Sequence, residues 1–503
     1  MAERLYIGID NGTQGTKAIV FGRDAGRVLA AAGAPHDLIA TDAGRREQEP
    51  QWWIAAATAV LRQCLAAPGV RAAEVAAIGV SGQQHGFVPL DAGGRVLRPA
   101  KLWCDTETVA ECEAISAAAG GPRKVVAATG NAVAAGFTAS KVLWLQRHEP
   151  ALFDRLAAAL LPHDYLNFWL TGGRRTEAGD ASGTAYFDVR RRKWSRKMLA
   201  AIDPTGRLAA ALPELIAPDA AHGRLRPEIA AQFGLPAATL VSAGGGDNMM
   251  AAIGTGNVVP GVVTCSLGTS GTIYAFADRP VVDPRGELAA FCSSSGGWLP
   301  LVCTMNVTVA TELTRALFGR EVADFDADVA AAPAGAGGLR LLPYFGGERT
   351  PPLPRARATL SGLSGTNFTR PNVCRAAMEG ATLGLRYGLD VLRRRGVAPG
   401  EIRLVGGGAK SRVWRQIVAD IFGCPVICPA AGAEAGAMGA VLQAMWCADR
   451  AAGAATTIEE LCAQFVRLDP ATRASPDPAR VRMYDAVYAE YLALHAALAP
   501  LAR

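Results

Sequence analysis

Apolar residues run unbroken through Leu5-Tyr6-Ile7-Gly8-Ile9 and resume at Ala18-Ile19-Val20-Phe21, with polar, glycine-rich Gly12-Thr13-Gln14-Gly15-Thr16 between them. The pattern returns in the second half of the chain. There Val262-Val263-Thr264-Cys265-Ser266 and Ile273-Tyr274-Ala275-Phe276 flank Gly268-Thr269-Ser270-Gly271-Thr272. Continuous apolar runs bounded by turn residues read as buried strands. Each copy therefore predicts a strand, a tight Gly/Thr loop and a returning strand. One such loop alone is a hairpin turn. Two at this separation predict a duplicated nucleotide-binding architecture, because glycine lets backbone N–H groups approach an anion closely.

Between the hairpins, a helix is expected from Glu49-Pro50 through Trp52-Trp53, and a turn at Asp91-Ala92-Gly93-Gly94. Ala77-Ile78-Gly79-Val80 reads as a buried strand running into Ser81-Gly82-Gln83-Gln84-His85-Gly86. Helical patterns dominate from 106 to 170. Residues 238–243 read as a strand entering Gly244-Gly245-Gly246-Asp247-Asn248, with a helix from Met249. In the second half, Val373, Ala377, Ala381, Leu385, Leu389 and Leu392 recur at helical spacing. Thr369 suits the cap of that helix, Pro371 its first turn and Gly396 its stop. Glu401–Val405 is a predicted strand, followed by Gly406-Gly407-Gly408-Ala409 and a helix capped by Ser411. Strand, glycines, helix is the arrangement that receives a phosphate or ribose. From 448 onward the chain reads as helical and Ala-rich. Strands alternating with helices predict α/β domains.

At 503 residues the chain predicts two large domains. Half its residues are hydrophobic and 19% charged, as in a folded enzyme. The basic clusters Arg190-Arg191-Arg192-Lys193 and Arg393-Arg394-Arg395 are short and lack interleaved aromatics, so no nucleic-acid partner is expected. Eleven cysteines occur without a CxxC pair, which predicts reduced thiols and a cytoplasmic protein. No apolar run approaches the ~18 residues of a membrane helix, and the early first strand leaves no room for a signal peptide.

Asp10 precedes the first loop, whereas Ser266 holds the corresponding place before the second. A single carboxylate there suits Mg²⁺, while a second would repel a polyphosphate. Asp247 follows three glycines and opens a helix, a position that suits an N-cap. It equally suits accepting a proton from a hydroxyl that attacks a phosphoryl group, with the helix dipole expected to keep it ionised at pH 7. His85, among Ser81, Gln83 and Gln84, suits reading sugar hydroxyls. Trp103 and Asp105 offer an apolar face beside a carboxylate. Gly346-Gly347-Glu348-Arg349-Thr350-Pro351 suggests an interdomain contact.

Together these features resemble the FGGY carbohydrate kinases, and within them most closely the xylulokinases. The resemblance is carried by Ile9-Asp10-Asn11-Gly12-Thr13, Ser81-Gly82-Gln83-Gln84-His85-Gly86, Leu102-Trp103-Cys104-Asp105, Gly136-Phe137-Thr138-Ala139-Ser140-Lys141 and Leu161-Pro162-His163-Asp164-Tyr165-Leu166. It continues through Gly244-Gly245-Gly246-Asp247-Asn248, residues 266–271 and 342–351, Met378-Glu379-Gly380 and Gly406-Gly407-Gly408-Ala409. These stretches occur in family order.

The resemblance implies two actin-like (ribonuclease-H-like) α/β ATPase domains around a central cleft that holds Mg²⁺ and ATP. The corresponding division is 1–247 for sugar and catalytic base, 248–447 for nucleotide, and 448–503 as a helical extension. It implies Asp247 as catalytic base and Asp10 as the residue that positions metal and phosphates. Gln84, His85, Trp103, Asp105 and Asn248 would bind the sugar. Gly12, Thr13, Gln14, Gly268, Thr269, Ser270, Gly271, Gly407, Gly408 and Ala409 would contact the nucleotide. The implied reaction is ATP-dependent phosphorylation of D-xylulose at its 5-hydroxyl, with another ketose or a polyol as the alternative acceptor. A non-catalytic actin-like ATP-binding protein is the alternative outside enzymes. A homodimer is compatible with the family. The chain departs from many xylulokinases at Gln84, Asn11 and Ser140, where methionine, leucine and proline are usual. Gln84 would add polar reach to the sugar pocket.

Overall fold

The first hairpin forms as its apolar runs dictate. Leu5–Asn11 and Gly15–Gly22 pair antiparallel, with Asn11 opposite Thr16. Thr16 is buried and donates to Asn11 Oδ1 at 2.8 Å, so its hydroxyl serves the turn itself. Leu5–Asn11 is buried on both faces because Ile7 and Ile9 join one apolar cluster while Tyr6 joins another. Such two-sided burial is why the strand reads as a continuous apolar run rather than an alternating one.

The structure, a computed structural model, describes residues 3–502. The chain divides into two units that are not linear in sequence. One comprises Met1–Val258, Ala277–Leu299 and Glu434–Val466; the other comprises Val259–Phe276, Pro300–Ala433 and Arg467–Arg503. Residues 448–503 are thus shared between the two units.

In the first unit the sheet order is Ala221–Arg224, Leu240–Ser242, Val75–Gly82, Leu5–Asn11, Gly15–Gly22, Arg27–Pro35. The last three form an antiparallel meander, the central joins are parallel, and Ala221–Arg224 closes antiparallel. The helix Ala435–Ala451 lies against this sheet. Its approach is so close that a Cβ on Gly79 would meet the Ala440 carbonyl.

In the second unit the order Leu468–Ala474, Val426–Pro429, Glu401–Val405, Val262–Leu267, Gly271–Ala275, Trp298–Thr304 repeats the same sequence of directions. The duplication announced by the two Gly/Thr loops is therefore a duplication of sheet topology. The expected long helix spans Arg370–Arg394, with Thr369 accepting from Asn372 N–H and Gly396 following its end at φ +91°. The tail is not wholly helical: Leu468–Ala474 is a strand. Glu348 is buried, accepting from Met305 N–H at 2.7 Å and Asn306 Nδ2 at 3.2 Å, all within the second unit. The eleven cysteines are all free thiols. No helix among the described residues is long and apolar enough to cross a membrane.

Candidate active site

Asp10 stands at the end of the Leu5–Asn11 strand, opposite Ser81 on its parallel neighbour. Ser81 Oγ donates to Asp10 Oδ1 at 2.6 Å. Burial raises the Asp10 pKa, and the Ser81 hydrogen bond and the Lys17 charge oppose that rise. On its other side lies Gly436, where a Cβ would fall 2.7 Å from the Asp10 carboxylate carbon and both oxygens. A side chain at 436 would therefore displace the Asp10 carboxylate, a group with the chemistry to hold a divalent cation.

Asp247 differs from expectation in two respects. Gly246 is the N-cap of the Asp247–Gly254 helix, so Asp247 is its first helical residue. Nor does the helix start leave it comfortably ionised. Burial first, and then the negative charge of Asp10, push its pKa up to about 7. The physical reason is that two carboxylates share one poorly hydrated space. The two hydrogen bonds from Asn248 oppose this: its N–H donates to Asp247 Oδ1 at 2.7 Å and its Nδ2 at 3.0 Å.

Asn248 Nδ2 also donates to Gln84 Oε1 at 2.8 Å. Gln84 is only 4% exposed, and its amide lies against Asp180. The Oε1 of the carboxamide is thus taken up by Asn248, while its buried Nε2 has no hydrogen-bond partner. His85 follows in a left-handed conformation at φ +64°, sparsely populated for a residue with a side chain. Its carbonyl is anchored by Lys141 Nζ at 2.6 Å and Thr138 Oγ1 at 3.2 Å. Its ring packs on Phe137 and Phe291, with centroids 4.7 and 5.5 Å away. Phe291 comes from the returning segment Ala277–Leu299, and no local pattern in the sequence marks it.

Trp103 donates from Nε1 to Thr13 Oγ1 at 2.9 Å, placing the indole against the first loop. Thr13 in turn donates to Gln83 Oε1 at 3.2 Å. Gly12 and Gln14 complete that loop, with Gly12 N–H closing it on the Gly15 carbonyl at 3.0 Å. Asp105 is placed differently. It is fully buried, accepts from Arg46 N–H at 2.9 Å and pairs with Lys101 Nζ at 3.1 Å. Lys101 also meets Glu47 at 3.1 Å and Glu107 at 2.5 Å, so this three-carboxylate cluster already holds a cation of the protein's own.

In the second unit, the tip of the Gly268-Thr269-Ser270-Gly271 loop carries an exposed Thr269. Val307 N–H and Thr308 N–H donate to the Thr269 and Gly268 carbonyls at 3.1 and 2.9 Å. Gly406 and Gly407 are exposed after the Glu401–Val405 strand. Gly406 requires its φ of +88°, and a Cβ there would lie 2.8 Å from the Leu267 carbonyl. Gly407 has open space where a side chain would stand. Gly408 packs its bare Cα toward Trp414, and Ala409 is buried, so both shape this turn from beneath. Exposed glycines after a parallel strand and before a capped helix suit a nucleotide.

The profile described as the FGGY family of carbohydrate kinases, N-terminal domain, matches residues 5–254, and its C-terminal counterpart matches residues 263–448. The chain is 45% identical over 492 residues to xylulose kinase of Haemophilus influenzae, covering 97% of this chain and 99% of that protein. It is 40% identical to xylulose kinase of Streptomyces coelicolor over 88% of this chain and 87% of that one. The crystal structure of xylulose kinase from Rhodospirillum rubrum superposes with a TM-score of 0.89 at 31% identity, covering 99% of each chain.

Proposed function

The chain belongs to the FGGY family of carbohydrate kinases, and from that premise we propose that it transfers the γ-phosphoryl group of ATP to the 5-hydroxyl of D-xylulose. The similarity to xylulose kinases along nearly the whole chain supports this acceptor. The structural observation that carries the reading is Asp247, a half-buried carboxyl beside Asp10 whose pKa lies at about 7. A group poised near the working pH is suited to take a proton from an attacking hydroxyl.

In this reading Asp247 accepts that proton and Asn248 orients it. Gln84, His85 and Trp103 shape the sugar site, with Asp105 bracing it from the buried ion cluster. Asp10, tethered by Ser81, would hold Mg²⁺. The loops at Gly12-Thr13-Gln14, Gly268-Thr269-Ser270-Gly271 and Gly407-Gly408-Ala409 would hold the nucleotide. Bound Mg²⁺ would supply neutralisation of phosphate charge. The protein's own contribution is position and electrostatics, the terms that dominate phosphoryl transfer.

The test is ADP release measured across pentuloses, hexuloses, pentitols and glycerol. D-xylulose is expected to give the highest kcat/KM. A better pentitol or hexulose would overturn the acceptor and leave the kinase reading standing.

A further inference from the structure

His163 lies on the Pro162–Thr171 helix with no solvent exposure, and each ring nitrogen faces a carboxylate. Nδ1 is 2.8 Å from Asp180 Oδ2 and Nε2 is 2.9 Å from Asp164 Oδ1. Burial opposes a charge on this ring, but the two carboxylates outweigh it and hold His163 protonated. Asp164 is fixed in turn by Leu161 N–H at 3.0 Å, and Asp180 through its own N–H, which donates to Glu177 Oε1 at 2.7 Å. A buried ion group of this kind is costly to desolvate and is weak as a source of stability. Nothing in the proton-transfer scheme above uses it.

What it does touch is the Gln84 amide, which lies against Asp180. The contact is one of proximity: a Cβ on Gly246 would stand 3.0 Å from Asp180 Oδ1 and 3.1 Å from Gln84 Cδ, and both Asp180 Oδ1 and Gln84 Nε2 are buried without a hydrogen-bond partner of their own. Beyond that contact the hydrogen bonds are made: Asn248 Nδ2 donates to both Gln84 Oε1 and Asp247 Oδ1. A negative Asp180 permits only one flip of the Gln84 amide, since the other would set oxygen against carboxylate. That flip allows only one orientation of Asn248. Both Asn248 donors then land on Asp247 Oδ1, leaving Oδ2 to accept a proton.

We propose that Asp180, held by the His163 imidazolium, is a positioning residue for phosphoryl transfer, acting through Gln84 and Asn248 to fix the direction in which Asp247 meets the acceptor hydroxyl. The proposal rests on the reading of Asp247 as proton acceptor. It assigns a buried ion group to the orientation of a base, a role in which the field of the Asp180 carboxylate at the Gln84 amide matters rather than any gain in stability.

The experiment is steady-state kinetics of Asp180→Asn, alone and combined with Asp247→Asn, in proteins shown by thermal melting to be folded. Asp180→Asn is expected to lower kcat about 10- to 100-fold, with KM for sugar and ATP changed by less than about threefold. In the Asp247→Asn background it is expected to lower the residual rate no further, because the two act as one unit. An unchanged kcat, or losses that multiply in the double variant, would overturn the proposal. A single Asp247→Asn variant with the parent rate would instead remove the base, and this proposal with it. If Asp180→Asn does not fold, His163→Asn and His163→Leu carry the test. The asparagine retains a donor toward Asp180 and is expected to keep kcat within about threefold, whereas leucine should lose it as above. Equal rates in those two variants would overturn the proposal.

Discussion

Gly436 stands against Asp10 with no room for a methyl group between them: a Cβ there would fall 2.7 Å from the carboxylate carbon and both oxygens. Asp10 is meanwhile tethered to Ser81 at 2.6 Å. Gly436→Ala should therefore turn the Asp10 carboxylate away from Ser81. Forcing a methyl group into this contact should cost about 1–3 kcal/mol, so the melting temperature should fall by a few degrees while the protein stays folded. The turnover number should fall at least about tenfold, since small displacements of a positioned group are costly. Parent-like kcat in a folded Gly436→Ala variant would show that the placement of Asp10 does not limit the rate.

The pKa of Asp247 sets an acid limb. The proposed base works only when deprotonated, so log kcat/KM should rise with unit slope up to about pH 7 and level off above it. The same shift bears on stability, with the sign as follows. The folded-state pKa is raised, so the contribution of Asp247 to stability is fully present below pH 4 or so and is lost as pH rises through about 7. Asp247→Asn should therefore melt higher than the parent at pH 8, lose that advantage near pH 4, and have lost most of its turnover throughout. A melting difference independent of pH would contradict this account.

Lys101 has no solvent exposure and binds three carboxylates that lie within 4.8 Å of one another, Glu47, Asp105 and Glu107. Its ammonium also sits 4.1 Å from the centre of the Trp144 ring. Lys101→Met removes the cation from Asp105, while Arg98 still meets Glu47 at 2.7 Å and Arg45 still meets Glu107 at 3.3 Å, and should cost about 3–5 kcal/mol. Millimolar Ca²⁺ should restore part of that loss in the variant, because three clustered carboxylates are ligands for a hard cation. Thermal melts with and without Ca²⁺ check this, and a variant as stable as the parent would refute it.

Gly406 and Gly407 separate fold from binding in the second unit. Gly406 is held by its positive φ and the Leu267 carbonyl, whereas Gly407 faces open space. Gly407→Val should leave the melting temperature within a few degrees of the parent, yet raise KM for ATP about tenfold or more if this turn seats the nucleotide. Unchanged ATP kinetics would remove Gly407 from the nucleotide site.

Legibility from sequence followed the range of the interactions involved. The two hairpins and the Arg370–Arg394 helix were readable because apolar runs, caps and stops are local signals. The Leu468–Ala474 strand was not. Its residues form no apolar run and are mostly part-exposed or exposed, and pairing with Val426–Pro429 holds it extended. In the site, Asp10, Asp247 and the Gln84-His85 pair stood out by their glycine-rich surroundings. Phe291, Gly436 and Asp180 did not, since each owes its place to contacts with segments distant in the chain. The pKa of Asp247 was misjudged for the same reason: the helix is a local feature, while the Asp10 charge arrives only through folding.

The threading of the first unit has a consequence for synthesis. Tyr6, Ile19, Phe21 and Ala77 share their core with Met438, Val441, Leu442, Met445, Leu461 and Phe465. A ribosome makes those partners more than 350 residues after Ala77, so an oily sheet surface waits uncovered while the intervening chain is made. The nascent chain is accordingly expected to lean on holdase chaperones. Asp10 acquires its neighbour Gly436 only after more than 400 further residues have been made, and a product cut short before then would lack that contact.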